Sequence, residues 1–295
     1  SFSSIKFCVA IGMFSFVGFS IVGHFNQGFI IRIPQSMILL KEESLSTRLT
    51  DNQGVQCFGN RQPCLFGDGD KYIHLLGDSH LGSISPSFVD QLADKYSVSI
   101  LQSGECLPAL NVQKFRAGSS NLIDENCDLN YQMQRYNFIK KHPGLVIVLA
   151  RYPVYFSNGV FFNNMEGGVE RDIYRPMIST RGKSITKEFE SFMVTLSKIP
   201  GVRVAILNSV PEVGFNVPRA AWERWLRGHN SLLTTSAEVF ADRNSRTEFV
   251  LSNLNSSENI SIIDLHPLFC DHQFPKRCAI EFPVNNLFYQ DDDHL

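Results

Sequence analysis

From Lys71 onward the chain alternates short apolar runs, rich in Val and Ile, with stretches of helical spacing. The runs are Ile73–Leu76, Val98–Leu101, Leu145–Ala150, Val202–Leu207 and Ile260–Ile263. Runs of this length suit strands buried on both faces, as in a parallel sheet. Between them, Ser184–Ile199 sets Ile185, Phe189, Phe192, Met193 and Leu196 on one helical face and stops at Pro200-Gly201. Leu232–Leu254 is a second helical stretch. Alternating strands and helices predict a three-layer α/β/α sandwich with a central parallel sheet.

The 295 residues are 43% hydrophobic, enough for one large or two modest domains with a proper core. A net charge of −2 carries no basic footprint for nucleic acid, so the expected partners exclude it.

Ahead of the alternating region, Phe7–Gly23 carries no charge and is flanked by Lys6 and His24. Its length is at the short end of the roughly 17–25 residues a bilayer span needs. We expect residues 1–24 to be a transmembrane helix, 25–70 a linker that packs on the α/β domain, and 71–295 that domain itself. A cleaved signal peptide and a buried soluble helix are the rival readings of the apolar segment. Lys6 on the cytoplasmic side would put everything after His24 outside. The chain opens on Ser1 and stops at Leu295 directly after a strong motif, so it is expected to be part of a longer protein.

Cys8 lies in the apolar segment, and six further cysteines follow it. An even number beyond a membrane span favours an oxidising compartment and disulfides. Six cysteines allow about fifteen pairings, and sequence does not choose among them. Pairing near neighbours gives Cys57–Cys64, Cys106–Cys127 and Cys270–Cys278. No metal site is expected, because no CxxC or His/Cys spacing of the usual zinc kind occurs.

The chemistry is concentrated at two places. The first is Gly77-Asp78-Ser79-His80, which follows the first apolar run and precedes helical spacing at Phe88, Val89 and Leu92. A serine on such a strand–turn–helix corner has two readings. It is an ordinary helix cap, or an exposed hydroxyl beside backbone N–H groups that face a developing oxyanion. Ligands in open α/β sheets sit at the carboxyl ends of strands, which is where Ser79 falls. The second place is the ending Asp291-Asp292-Asp293-His294-Leu295. It reads as a solvated acidic loop, as a metal site, or as the base half of a Ser-His-Asp triad. In the last reading Asp291, three residues before His294, holds the imidazole Nδ1–H and leaves Nε2 to take a proton from serine.

GDSH after a first strand, with DxxH near the end of an α/β domain, resembles the SGNH (GDSL-type) hydrolase superfamily. The run Leu149-Ala150-Arg151-Tyr152, the segment Val210-Pro211-Glu212 to Val217-Pro218 and the ending Tyr289 to Leu295 narrow this further. They resemble the SGNH domains fused to the C-terminus of bacterial acyltransferase-3 membrane proteins. The resemblance covers Lys71–Leu295, and the first seventy residues by architecture. It implies Ser79 as nucleophile, His294 as base and Asp291 as the orienting carboxylate. It also implies an oxyanion hole of the Ser79 N–H and a glycine, for which Gly104 is the nearest match, with the Cys106 or Leu107 N–H as the alternatives. The third family block normally supplies an Asn; Ala150-Arg151-Tyr152-Pro153 stands there instead. That removes a side-chain donor, a loss of the kind worth about 3 kcal/mol. Arg151 is open to three roles, a substitute for that donor, a glycan contact or the partner of an acidic residue, and the last two are favoured. Trp222 and Trp225 suit sugar stacking or helix packing.

The resemblance further implies an O-acyltransferase that forms an acyl-serine and acetylates a cell-surface polysaccharide such as lipopolysaccharide O-antigen. Partners would be the acyltransferase-3 membrane domain of the same chain, the membrane, and a polysaccharide or lipid-linked glycan acceptor. The place would be the bacterial inner membrane, with the SGNH domain in the periplasm. No cofactor would be bound by this domain, acetyl-CoA being the ultimate donor through the membrane part. A carbohydrate O-acetyl esterase with the same residues is the alternative, and a glycan-binding module with a relic triad is a third.

Overall fold

The computed structural model describes residues 49–116, 122–156, 164–166, 168–169, 177–229, 231–270, 276–281, 287–289 and 294–295. The expected transmembrane segment and most of the linker lie outside the described residues. Among the described residues no helix is long and apolar enough to cross a membrane.

All five apolar runs are strands of one sheet. They are β2 (Tyr72–Gly77), β3 (Ser97–Gln102), β4 (Gly144–Leu149), β5 (Arg203–Leu207) and β6 (Ile260–Ile263), joined at one edge by β1 (Cys64–Phe66). The order is β1-β3-β2-β4-β5-β6. Strands β2 to β6 are mutually parallel, with Gly77 opposite both Gln102 and Leu149. β1 lies antiparallel on β3, with Cys64 opposite Ile100 and Phe66 opposite Val98. The sheet therefore starts in sequence at Cys64, upstream of the Lys71 boundary read from the apolar runs. A three-residue strand is too short to show a period.

Among the described residues seven α-helices accompany the sheet: α1 (Ser79–Leu92), α2 (Leu129–Lys141), α3 (Tyr152–Phe156), α4 (Ile185–Ser197), α5 (Val217–Leu226), α6 (Ala237–Leu254) and α7 (His266–Phe269). The chain steps from β2 to β3 in one direction, then from β3 past β2 to β4, β5 and β6 in the other. Right-handed crossovers put α1 on one face and α2, α4 and α6 on the other. Helices α3, α4 and α6 pack on one another there. α4 follows its sequence pattern closely: Ser184 caps it by accepting from the Lys187 N–H, and Phe189, Phe192, Met193 and Leu196 are buried. α6 starts later than Leu232. Thr234–Ser236 first pairs antiparallel with Arg277–Ala279, and Ser236 then caps the helix.

Three disulfides are present, Cys57–Cys64, Cys106–Cys127 and Cys270–Cys278. Each sits in a connection at the carboxyl edge of the parallel strands. β1 runs against the others, so the Cys57–Cys64 loop before it also reaches that edge.

Candidate active site

The site is built outward from the end of β2. Gly77 lies so close to β4 that a Cβ there would stand 1.9 Å from the Leu149 carbonyl oxygen. Only glycine fits, and that lets the chain turn directly from strand into helix. The Gly77 carbonyl accepts from Arg135 Nη2 at 3.1 Å and from the Ser103 N–H at 3.3 Å.

Asp78 is the N-cap of α1, and its carboxylate is buried. It accepts from the His80 N–H at 2.9 Å, the Arg151 N–H at 3.0 Å and the Tyr155 hydroxyl at 2.7 Å. One side chain thus ties α1 to the end of β4 and to α3. This bears on the capping reading of Ser79. The capping role belongs to Asp78, and the Ser79 hydroxyl, half-buried on the first residue of the helix, is left for other work.

That hydroxyl meets His294. Ser79 Oγ and His294 Nε2 are 2.9 Å apart across a separation of 215 residues. With Nδ1 protonated, Nε2 accepts from the serine. The His294 ring also lies against that of His80, with centroids 4.9 Å apart. The described residues that precede His294, Phe288 and Tyr289, dock beside the 210–217 segment. Phe288 donates its N–H to the Ile280 carbonyl, and the Tyr289 hydroxyl donates to the Pro211 carbonyl at 2.5 Å. Val213, Val217, Ile280 and Tyr289 form a small core, on which Leu295 packs. Asp291 lies outside the described residues.

Gly104 sits in the loop that leaves β3. Its carbonyl accepts from the buried Lys114 Nζ at 3.2 Å, and Lys114 also pairs with Glu105 and Asp124. Lys114 and the Cys106–Cys127 bond hold this loop from two sides.

Of the roles open for Arg151, the structure shows the ion pair. Its Nη2 and Nε lie 2.9 and 3.2 Å from Glu212 Oε2. Arg243 approaches the same carboxylate from α6, with Nε at 3.0 Å. Burial by itself would raise the Glu212 carboxyl; Arg151 and Arg243 outweigh it and hold the group below the ordinary carboxylate range. Sequence reasoning missed Asp78, Tyr155, Glu212 and Arg243. Asp78 carried a signal, since Asp is a strong N-cap at a strand–helix corner. Arg243 had none, because its partner lies 31 residues away. Trp222 and Trp225 pack on each other, with ring centroids 5.0 Å apart. His266, Cys270 and Cys278 cluster as three possible metal ligands, but the two sulfurs are joined to each other.

A strand–turn–helix serine engaged by a C-terminal histidine, on a largely parallel α/β sheet, defines an SGNH-type domain. The comparison with known families agrees. The model of the SGNH domain fused to acyltransferase-3 (AT3) domains matches residues 48–295, and the chain belongs to that family. The solved structure of the Salmonella ser. Paratyphi A lipopolysaccharide acetyltransferase periplasmic domain is similar in fold. Its TM-score is 0.53 at 16% identity, over 89% of this chain and 91% of that one. No curated protein matches the chain by sequence.

Proposed function

We propose that this domain transfers an acyl group, acetyl, to a hydroxyl of a cell-surface polysaccharide such as a lipopolysaccharide O-chain. The 2.9 Å contact between Ser79 Oγ and His294 Nε2 is the observation that carries the reading. His294 takes the hydroxyl proton as Ser79 attacks the donor carbonyl, and the leaving group departs with a proton from His294. The acyl-serine then meets a sugar hydroxyl, deprotonated by the same imidazole; the sugar oxygen takes the acyl group, and Ser79 Oγ leaves and regains its proton from His294. Asp291 is assigned to hold Nδ1–H. The Ser79 N–H at the start of α1 and the Gly104 N–H are assigned to the oxyanion, where the helix dipole adds to them. Family membership supports an acyltransferase-3 membrane domain as the partner that supplies acetyl from acetyl-CoA. It also supports a periplasmic position beyond a membrane span.

A serine-directed fluorophosphonate, added to the full chain and followed by mass spectrometry of the labelled peptide, tests the nucleophile. Labelling is expected at Ser79 and is expected to be lost in both Ser79→Ala and His294→Ala. A folded protein left unlabelled at Ser79 would overturn the triad. Giving the labelled-acetyl donor together with glycan then separates transfer from esterase action. Acetyl recovered on sugar means transfer, and acetate alone means hydrolysis.

A further inference from the structure

The Cys57–Cys64 loop carries an aromatic ring to the active edge of the sheet. β1 pairs antiparallel with β3, so the residues just before Cys64 lie where β3 ends. There β3 passes into Ser103 and Gly104, and the Ser103 N–H is bonded to the Gly77 carbonyl, two residues before Ser79. Among the described residues, one ring stands against Gly104. Outside its chain neighbours, the nearest described atom to where a Cβ would stand is Phe58 Cζ, at 3.9 Å. Phe58 is 44% exposed, although Cys57 beside it is buried and disulfide-bonded to Cys64. A disulfide-anchored backbone thus holds a large apolar ring partly in solvent, beside the loop that leaves β3 and is bonded to the Gly77 carbonyl.

We propose that Phe58 forms an acceptor subsite of the Ser79 centre, against which the apolar C–H face of a pyranose ring stacks. The assignment rests on the acyl-transfer reading for its function, and on the position of the ring for its place. Aromatic rings offer broad apolar contact at little entropic cost, and sites for polar ligands commonly pair such a surface with a few polar groups. Asn60, Gln62 and Glu105 border the same loops.

The test uses the full chain with Ser79→Ala as background, so that glycan binds without turnover. The probe is de-O-acetylated O-polysaccharide freed from lipopolysaccharide, and binding is read by saturation-transfer NMR and titration. Adding Phe58→Ala is expected to weaken binding at least five-fold, and Phe58→Trp to retain it. In the Ser79 parent, Phe58→Ala is expected to leave fluorophosphonate labelling within two-fold. Unchanged glycan binding in Phe58→Ala would overturn the subsite, as would an equal fall in labelling, which would mark a structural role. If the parent is not labelled at all, the acyl-transfer reading fails, while the glycan titration still decides the subsite.

Discussion

The two halves of the site are held in different ways. The half that carries Ser79, the proposed nucleophile, is part of the main sheet. Gly77 is wedged against β4, Asp78 reaches three elements, and Arg135, buried and stacked over Tyr131, closes on the Gly77 carbonyl. The half that carries His294, the proposed base, rests on a separate small core, joined to the rest by the Tyr289–Pro211 bond and the ribbon of Thr234–Ser236 with Arg277–Ala279. The contrast teaches that the hydroxyl is placed by the fold, whereas the imidazole is placed by a dock. Stability and activity should therefore separate, and mutations on either side of the dock read which is which.

The largest effect is expected at the joint. Glu212 follows Pro211, which receives the tail, and it is paired with Arg151, whose backbone holds Asp78. Glu212→Gln would leave two guanidinium groups, one of them almost wholly buried, without their carboxylate. Breaking a buried pair from one side costs about 3–5 kcal/mol. Urea unfolding should show that loss, and fluorophosphonate labelling should fall with it because both halves are disturbed. A loss under about 1 kcal/mol would mean that the cluster relaxes to water and that the halves are joined elsewhere.

Much of the nucleophile half was legible in the sequence, and for a physical reason. Strand, turn and helix there are local, so a run of Ile73 to Leu76, a glycine and a helical period announce them together. Ser79 and His294 were legible only as a motif pair, since nothing local says that they meet. The Arg151–Glu212–Arg243 cluster was not legible. Its members are spread over three elements, and a buried charge looks like a surface charge until the fold is known. Phe58 was hidden for a similar reason. The strand that carries its loop to the active edge is three residues long, and an isolated Phe in a cysteine loop reads as filler.

A smaller effect, confined to the nucleophile half, comes from His74 near the other end of β2. The ring is buried, with Nδ1 2.6 Å from Ser99 Oγ and Nε2 2.6 Å from the His142 carbonyl. Burial lowers it from 6.5 to about 4, against the raising effect of the His142 carbonyl. The unfolded chain thus binds a proton that the folded chain refuses. The stability is fully present above about pH 6.5 and is lost as pH falls toward 4. The loss from this group is about 3 kcal/mol by pH 4. Comparing urea unfolding at pH 7 and pH 4.5 in the parent and in His74→Gln checks this. The variant should be less stable at pH 7 but flatter across the range; an equal slope in both would assign the acid sensitivity to other groups.

The smallest stability effect should carry the sharpest information about the dock. Tyr289→Phe removes the hydroxyl that donates to the Pro211 carbonyl and keeps the ring in its core of Val213, Val217 and Ile280. One neutral hydrogen bond is worth about 1 kcal/mol net, so unfolding should shift only slightly. His294 stands five residues further on, and its Nε2 must stay within hydrogen-bond reach of Ser79 for proton transfer. A displacement on the order of 1 Å at such a contact can cost about a hundredfold in rate. We therefore expect Ser79 labelling to slow by roughly ten- to a hundredfold with the melting behaviour almost unchanged. If labelling and stability fall in proportion instead, the tail is held as firmly as the strand, and the difference between the two halves disappears.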